Sequence, residues 1–140
     1  MSTVMEPAIE SWLQFKRTAE RVRAAIIADV TAQSELPESE LTVLIHLTEA
    51  GGSLRQNALA NLTGWDRTRL SHLLTRMERA GRLRRTRLRN GVELHLEPTA
   101  AGLVDSTRPM LAEAAERHLS QKLTPAQRRS LRQILDALDA

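Results

Sequence analysis

A cluster of arginines is the most distinctive chemical feature of the sequence. Nine arginines and three acidic residues lie between Gly64 and His95, so this segment carries a formal charge of nine minus three, or +6, within a chain of net charge +3. Clustered guanidinium groups are typical of proteins that bind the phosphate backbone of nucleic acids, because each phosphate contact releases condensed counterions. The alternative is a solvated charged surface without a partner. The elements that carry the arginines must decide between the two.

The first of these elements is a helix that begins after Asp66. The Asp66 carboxylate can accept the free N–H groups of a first helical turn, which makes this residue a suitable N-cap. Apolar residues then recur at helical spacing and predict the buried side: Leu70, Leu73, Leu74 and Met77. The opposite side carries guanidinium, hydroxyl and imidazole groups, which bond phosphate oxygens and base edges in the major groove. The predicted DNA contacts on that side are Arg67, Thr68, Arg69, Ser71, His72, Thr75 and Arg76.

Two neighbouring elements complete a DNA-binding motif. A short helix from about Arg55 to Leu62, followed by a turn with Gly64, predicts a helix-turn-helix. After it, residues 83–96 alternate in polarity and contain Asn90-Gly91, which predicts a β-hairpin with a two-residue turn. The hairpin extends the positive surface towards a minor groove, and its predicted DNA contacts are Arg85, Arg87 and Arg89. Its register stays open, because pairing Arg89 with Val92 puts arginines on the apolar face.

The segment before the arginine cluster predicts two helices, of which the first carries a seam for pairing with another helix and the second is buried on one side. From Pro7 to about Val30, apolar residues step by three and four positions, as in a helix-pairing seam: Trp12, Phe15, Ala19, Val22 and Ile26. A second helix opens near Pro37, ends at Gly51-Gly52, and carries Leu41, Leu44, Ile45 and Thr48 on one side.

The C-terminal part of the chain predicts two further helices. The first runs from Thr99 to Leu123, with a kink near Arg108 caused by Pro109. The second opens with a capping box at Thr124 and has the apolar stripe Leu131, Ile134, Leu135 and Leu138. The sequence therefore predicts one mainly α domain of about six helices with a small β-hairpin, in which the N-terminal helix carries a seam for pairing with another helix.

Composition excludes several classes of function. The chain has 140 residues and no cysteine, so thiol chemistry, disulfides and thiolate-bound zinc are excluded, and its four histidines lack metal-site spacing. Ser71 and His72 are adjacent on a helix and point about 100 degrees apart, so they cannot act as nucleophile and base. Without a glycine-rich phosphate loop or paired carboxylates, we expect no enzyme activity, cofactor or metal. No apolar stretch predicts a membrane span or secretory signal, so we expect a cytoplasmic protein.

At this point the chain resembles the multiple-antibiotic-resistance-repressor (MarR) family of bacterial transcription regulators, almost from end to end. The most specific stretch is residues 59–83, LANLTGWDRTRLSHLLTRMERAGRL. It is similar to the family's sequence of a Leu-Ala helix, a glycine turn, a recognition helix and a glycine exit into the wing of a winged helix-turn-helix. The run Thr99-Ala100-Ala101-Gly102 resembles the family's entry into its fifth helix.

The resemblance implies a homodimeric repressor that binds a palindromic operator and is controlled by a small-molecule effector. It divides the domain, residues 1–140, into a winged helix-turn-helix lobe at 36–98 and dimerisation helices at 7–32 and 99–140. Family wings usually carry an Asp shortly before one or two Arg, and the segment from Leu88 to Val92 is shorter and lacks that Asp. Either Arg87 or Arg89 is therefore the candidate for the minor groove, and the effector site stays unknown.

A function of another class stays open beside this one. The short wing is also compatible with a helical dimeric interaction module that has lost DNA binding and acts through protein partners. RNA binding is disfavoured, because readers of single-stranded RNA stack bases on exposed aromatic residues, and this chain has one Phe, two Trp and no Tyr.

Overall fold

The computed structural model describes residues 3–140; residues 1 and 2, with which the predicted domain begins, lie outside it. The described part contains six α-helices and three strands, which confirms the mainly α prediction. In chain order they are α1 (Pro7–Thr31), α2 (Glu38–Glu49), β1 (Ser53–Arg55), α3 (Gln56–Thr63), α4 (Arg67–Arg79), β2 (Leu83–Leu88), β3 (Gly91–Leu96), α5 (Pro98–His118) and α6 (Pro125–Leu138). A short 3₁₀ turn, Ser120–Lys122, lies between the last two helices.

The chain divides into two compact units. The central unit spans residues 34–109, and the terminal unit combines residues 3–33 with residues 110–140. Helix α5 continues through Pro109 and so contributes to both units. We expected this helix to reach Leu123, but it ends at His118, where the 3₁₀ turn follows.

The core of the central unit forms around α2 and α4. All four residues of the predicted α4 stripe are buried, from Leu70 to Met77. The stripe predicted for α2 is only partly right: Leu41 and Leu44 are buried, but Val43 and Leu47 complete the buried face. Helix α2 contacts both β1 and β3, so its buried face is wider than a single helical stripe and turns towards the sheet.

The three strands form one antiparallel sheet in the order β1-β3-β2. Strands β2 and β3 with their turn, residues 83–96, form the wing, which confirms the predicted hairpin. The register, which the sequence left open, pairs Leu88 with Gly91, so the turn residues are Arg89 and Asn90, one position before Asn90-Gly91. Within residues 3–140 a positive φ occurs only at glycines. One of them is Gly91, the first residue after the turn, with a φ of +147°. Strand β1, which pairs with β3, was not predicted, since three residues are too few to show an alternating pattern.

The terminal unit presents most of its large apolar side chains to solvent. Trp12 and Phe15 of the predicted α1 seam are exposed, as are Ile134, Leu135 and Leu138 of α6. The capping box of α6 is confirmed: Thr124 Oγ1 accepts the Gln127 N–H at 3.2 Å, and the Gln127 side chain accepts the Thr124 N–H at 2.9 Å. The N-terminus of helix α6 is thus stabilised by its own capping box, but no residue of this helix is buried.

Candidate nucleic-acid interface

A tight turn joins α3 to α4 and sets the helix-turn-helix. Helix α3 ends at Gly64, whose φ of +69° is the left-handed conformation that a glycine C-cap adopts at low cost. Asp66 then caps α4, since its Oδ2 accepts the N–H of Arg69 at 3.0 Å. Both signals are local in sequence, which is why the boundaries of this motif were predicted to within a residue or two.

The outer surface of α4 lies opposite its buried stripe, as predicted. Its first turns are fully polar there, and the free N–H groups of a helix N-terminus add partial positive charge to that of the arginines. The exposed predicted residues on α4 are Arg67, Thr68, Arg69, His72 and Arg76, whereas Ser71 and Thr75 are half-buried.

The arginines of this region fall into two groups. Six exposed ones have no carboxylate within ion-pair distance among residues 3–140. One of them is Arg79 in the last turn of α4; the other five are predicted DNA contacts, and we call these the open arginines. They are Arg67, Arg69, Arg76, Arg87 and Arg89. Their guanidinium donors are available for phosphate or base oxygens, which they can bond in bidentate geometry.

The other group is ion-paired within the central unit. Arg82 lies 3.7 Å from Glu40, Arg84 lies 3.7 Å from Glu97, and Arg85 lies 3.2 Å from Glu78. Only the last pair is short and multiply hydrogen-bonded, so it differs in kind from the two looser contacts.

Glu78 and Arg85 connect α4 with the first strand of the wing. The carboxylate of Glu78 accepts the backbone N–H of Arg85 at 2.9 Å and its side-chain Nε–H at 3.2 Å. Arg85 also donates from Nη2 to Thr75 Oγ1 at 2.8 Å, and that hydroxyl donates to the Ser71 carbonyl at 3.0 Å. The bond from the Arg85 backbone N–H, helped by the Arg85 side chain and opposed by desolvation, lowers the pKa of Glu78. Glu78 is therefore ionised at neutral pH.

This connection engages two of the predicted DNA contacts, Thr75 and Arg85, in contacts within the protein. Their role at DNA stays a prediction. Sequence reasoning did not find Glu78 as their partner, although one signal was present: an arginine on the apolar face of a strand needs a nearby acid.

The wing tip has a second internal contact that the sequence did not predict. Arg55 at the end of β1 donates from Nη1 to Asn90 Oδ1 at 3.1 Å. Because β1 itself was not predicted, nothing in the sequence placed Arg55 beside the turn. Arg87 and Arg89, the candidates for the minor groove, are exposed in the strand and in the turn next to this contact.

We found no sign of a different type of site. No cluster of three or more His, Asp or Glu residues in the described part of the chain could hold a metal ion. No helix within residues 3–140 has the length and apolar composition needed to cross a membrane.

Comparison with known proteins adds the family context. A family described as a domain of unknown function, DUF7343, matches residues 36–94, and no curated protein matches the sequence. Among solved structures, AbsC, a MarR family transcriptional regulator from Streptomyces coelicolor, has a TM-score of 0.85 at 22% identity over 99% of this chain and 95% of that chain. Sco3205, a MarR family regulator from the same organism solved in complex with DNA, has a TM-score of 0.85 at 23% identity over 97% of this chain and 91% of that chain. The chain has the MarR-family fold.

A third structure concerns BpsR from Bordetella bronchiseptica, whose DNA binding is regulated by 6-hydroxynicotinic acid. It has a TM-score of 0.81 at 19% identity, over 99% of this chain and 100% of that chain. These structural matches cover nearly the whole chain, well beyond residues 36–94, and confirm the predicted winged helix-turn-helix class.

Proposed function

We propose that the protein is a homodimeric, sequence-specific regulator of transcription that binds double-stranded DNA, acting as a repressor. The observation that carries this proposal is the group of five open arginines on the outer face of α4 and on the wing. On a surface that is only solvated, we would expect some of these five guanidinium groups to pair with an acid, as three neighbouring arginines do.

In this proposal the two arginine-bearing elements have different tasks. Helix α4 enters a major groove, where Arg69, His72 and Arg76 reach base edges and Thr68 and Ser71 bond phosphates. The wing lies along the backbone, and Arg87 or Arg89 reaches the adjacent minor groove. Phosphate contacts position the protein, and base contacts select the sequence.

The dimer is supported by the apolar surface of the terminal unit. Besides the exposed faces of α1 and α6, this unit has an open groove of about 330 Å³ whose walls include Leu119, Leu123, Leu131 and Leu135. Soluble monomers rarely leave apolar surface of this extent uncovered. A second copy that covers it would present two α4 helices to successive major grooves, about 10 to 10.5 bp apart, on a palindromic operator.

Effector control is the least supported part of the proposal. It rests on BpsR, which shares the fold and responds to 6-hydroxynicotinic acid. Adding that compound to the protein–DNA complex tests it: a fall in DNA affinity supports an effector of this class, and an unchanged affinity speaks against it.

The direct test of DNA binding is a salt titration with the full chain and a generic duplex. We expect log affinity to fall linearly with log salt concentration, by about 0.9 for each phosphate neutralised. An absence of binding even at low salt would contradict the proposal and favour the protein-interaction module.

Specificity is tested with a duplex selected from random sequences by the protein itself. Arg69→Ala and Arg76→Ala should each cost about 1–3 kcal/mol on this duplex and relax the sequence preference if they contact bases. Arg79→Ala is the matched control, because Arg79 is an exposed arginine at the end of the same helix and is not one of the predicted DNA contacts. A loss with Arg79→Ala as large as with the other two would show that only total charge matters.

A further inference from the structure

We propose that Glu78 is a positioning residue of the DNA interface, which holds the wing against α4 through Arg85. This inference rests on the proposed DNA binding and deepens it. Glu78 is an acidic residue in the most basic part of the chain, and in this proposal it strengthens the binding of DNA, although DNA is a polyanion.

The contacts of Arg85 indicate a structural connection. Three of its N–H donors, the backbone N–H, Nε–H and an Nη2–H, are directed at Glu78 and Thr75 at 2.8 to 3.2 Å. These contacts use two of the five guanidinium N–H donors and hold the group towards α4, so fewer donors remain for a phosphate than on a free guanidinium. Arg85 therefore differs from the open arginines, which make no such contacts among the described residues.

The strand register explains why the connection is needed. Arg85 pairs with the buried Leu94 of β3, and Leu83 on the same face of β2 is fully buried as well. An arginine at this position faces the apolar side of the wing, where an unpaired charge is costly. Glu78 supplies the opposite charge from the last turn of α4, so that β2 can remain against the helix.

The open arginines of the wing follow directly after this point. Arg87 lies two residues further along β2, on the same face as Arg85, and Arg89 lies in the turn. Loss of the Glu78 contact would favour a solvent-directed Arg85 and release the strand from α4. The wing arginines would then lose their fixed position relative to the outer face of α4, although their charges would remain.

The sign of a charge change separates this inference from the simpler alternative. If Glu78 were only a solvated acid near the interface, Glu78→Gln would remove a repulsive charge and strengthen DNA binding. If Glu78 positions the wing, the same substitution weakens binding, because an amide cannot accept both Arg85 N–H bonds with a full negative charge. We expect a loss of about tenfold at fixed salt.

The experiment measures affinity of the full chain for a generic duplex over a range of salt concentrations. Glu78→Gln and Arg85→Met should both lower affinity and leave the salt slope unchanged, since neither removes a phosphate contact. Arg87→Met, which removes an open arginine, should reduce the slope by about 1 per subunit. Glu93→Gln is the matched control: it removes another acid of the same segment, one that contacts His95, and should not weaken binding.

Two further measurements separate positioning from a general loss of structure. The double variant of Glu78→Gln with Arg85→Met should bind no more weakly than Arg85→Met alone, because both changes remove one connection. Thr75→Val keeps the shape of the side chain and removes only one acceptor of Arg85, so it should give a smaller loss with the same slope. Thermal unfolding verifies that each variant is folded.

Stronger or unchanged binding by Glu78→Gln would overturn the inference, as would a slope change with Arg85→Met equal to that with Arg87→Met. Amide hydrogen exchange keeps this failure distinct from failure of the proposed function. In Glu78→Gln without DNA, the Arg85 amide proton should exchange at least about tenfold faster. If the wild type binds no duplex and the Arg85 amide still exchanges faster in Glu78→Gln, the proposed DNA binding is wrong, and so is a role for Glu78 in it. The contact between Glu78 and Arg85 would nevertheless be confirmed.

Discussion

Helices α4 and α6 have the same apolar pattern and opposite environments. Each has four apolar residues at the spacing i, i+3, i+4 and i+7, in helices of 13 and 14 residues. Those of α4 are at most 6% exposed, whereas three of those of α6 are between 45% and 67% exposed. A helical apolar stripe thus predicts which face of a helix favours burial. It does not predict whether that face is covered by the same chain.

The polar faces of the two helices sharpen the contrast. On α4 the covered apolar side fixes the direction of the opposite side, so Arg67, Arg69 and Arg76 are held outward. On α6 neither face is fixed by contacts of the same extent, since none of its residues is buried. The central unit therefore covers the apolar stripe of α4 within one chain, whereas the terminal unit leaves that of α6 largely exposed, which supports the proposed dimer.

The largest expected effect comes from a charge placed on the exposed apolar stripe of α6. Ile134→Glu places a charge in the proposed dimer interface in both copies, at about 3–5 kcal/mol for each unpaired buried charge, and should produce monomers. Sedimentation equilibrium measures the mass. Gln133→Glu adds the same charge to an exposed polar position of the same helix and should leave the dimer intact. A dimer that survives Ile134→Glu would mean that another surface mediates association.

The next effect belongs to α4. Leu74 is completely buried, so Leu74→Ala should lower the free energy of unfolding by about 2–5 kcal/mol, through lost burial and the cavity left behind. Urea unfolding at one protein concentration measures this change. Leu62→Ala, at an exposed leucine of the neighbouring α3, should change it by about 0.5 kcal/mol or less. Equal losses at both positions would contradict the buried role assigned to the α4 stripe.

The smallest effect concerns an ion pair that joins α1 to α5 within the terminal unit. Oδ2 of Asp29 lies 2.7 Å from the His118 ring nitrogen and 2.8 Å from a guanidinium nitrogen of Arg117. The hydrogen bond from His118, with further help from Arg117, lowers the pKa of Asp29 below its ordinary 3.8. Because the lowered value belongs to the folded state, the stabilisation is present above that ordinary value and is lost as pH falls through and below it.

Asp29→Asn should therefore be less stable than the wild type at neutral pH, with a difference that narrows as pH falls below about 4. Thermal unfolding at a series of pH values measures this difference. Glu113→Gln provides the control, since Glu113 is exposed and only accepts a bond from Arg117 within its own helix. A stability difference for Asp29→Asn that is constant with pH would show that the carboxylate charge of Asp29 is not what stabilises the contact.

The parts of the fold that sequence predicted are those encoded by neighbouring residues. The Asp66 cap, the Gly64 stop and the Thr124 capping box each involve residues within four positions, and all three are present. Strand β1 depends instead on pairing with β3, which is distant in sequence, and the turn at Arg89 depends on the register of the whole of β2 with β3. Local propensity was strong for Asn90-Gly91, but the pairing of β2 with β3 places the turn one residue earlier.

The candidate site shows the same division. The outward side chains of α4 followed from its buried stripe, so their exposure could be predicted from spacing alone. Whether an arginine of β2 is open or paired depends on which acidic residue lies beside it in the folded unit, and this required the structure. Thr75 and Arg85 were both predicted to contact DNA, but their contacts with each other and the contact of Arg85 with Glu78 are not visible in the sequence pattern.

The central position of β3 in the sheet has a consequence for binding thermodynamics. A hairpin attached only by its two ends would have to give up much conformational entropy when it docks. Here one strand of the wing is also hydrogen-bonded to β1, along Ser53, Leu54 and Arg55. That entropy is already lost when the protein folds, so more of the gross interaction energy with a ligand remains as net affinity.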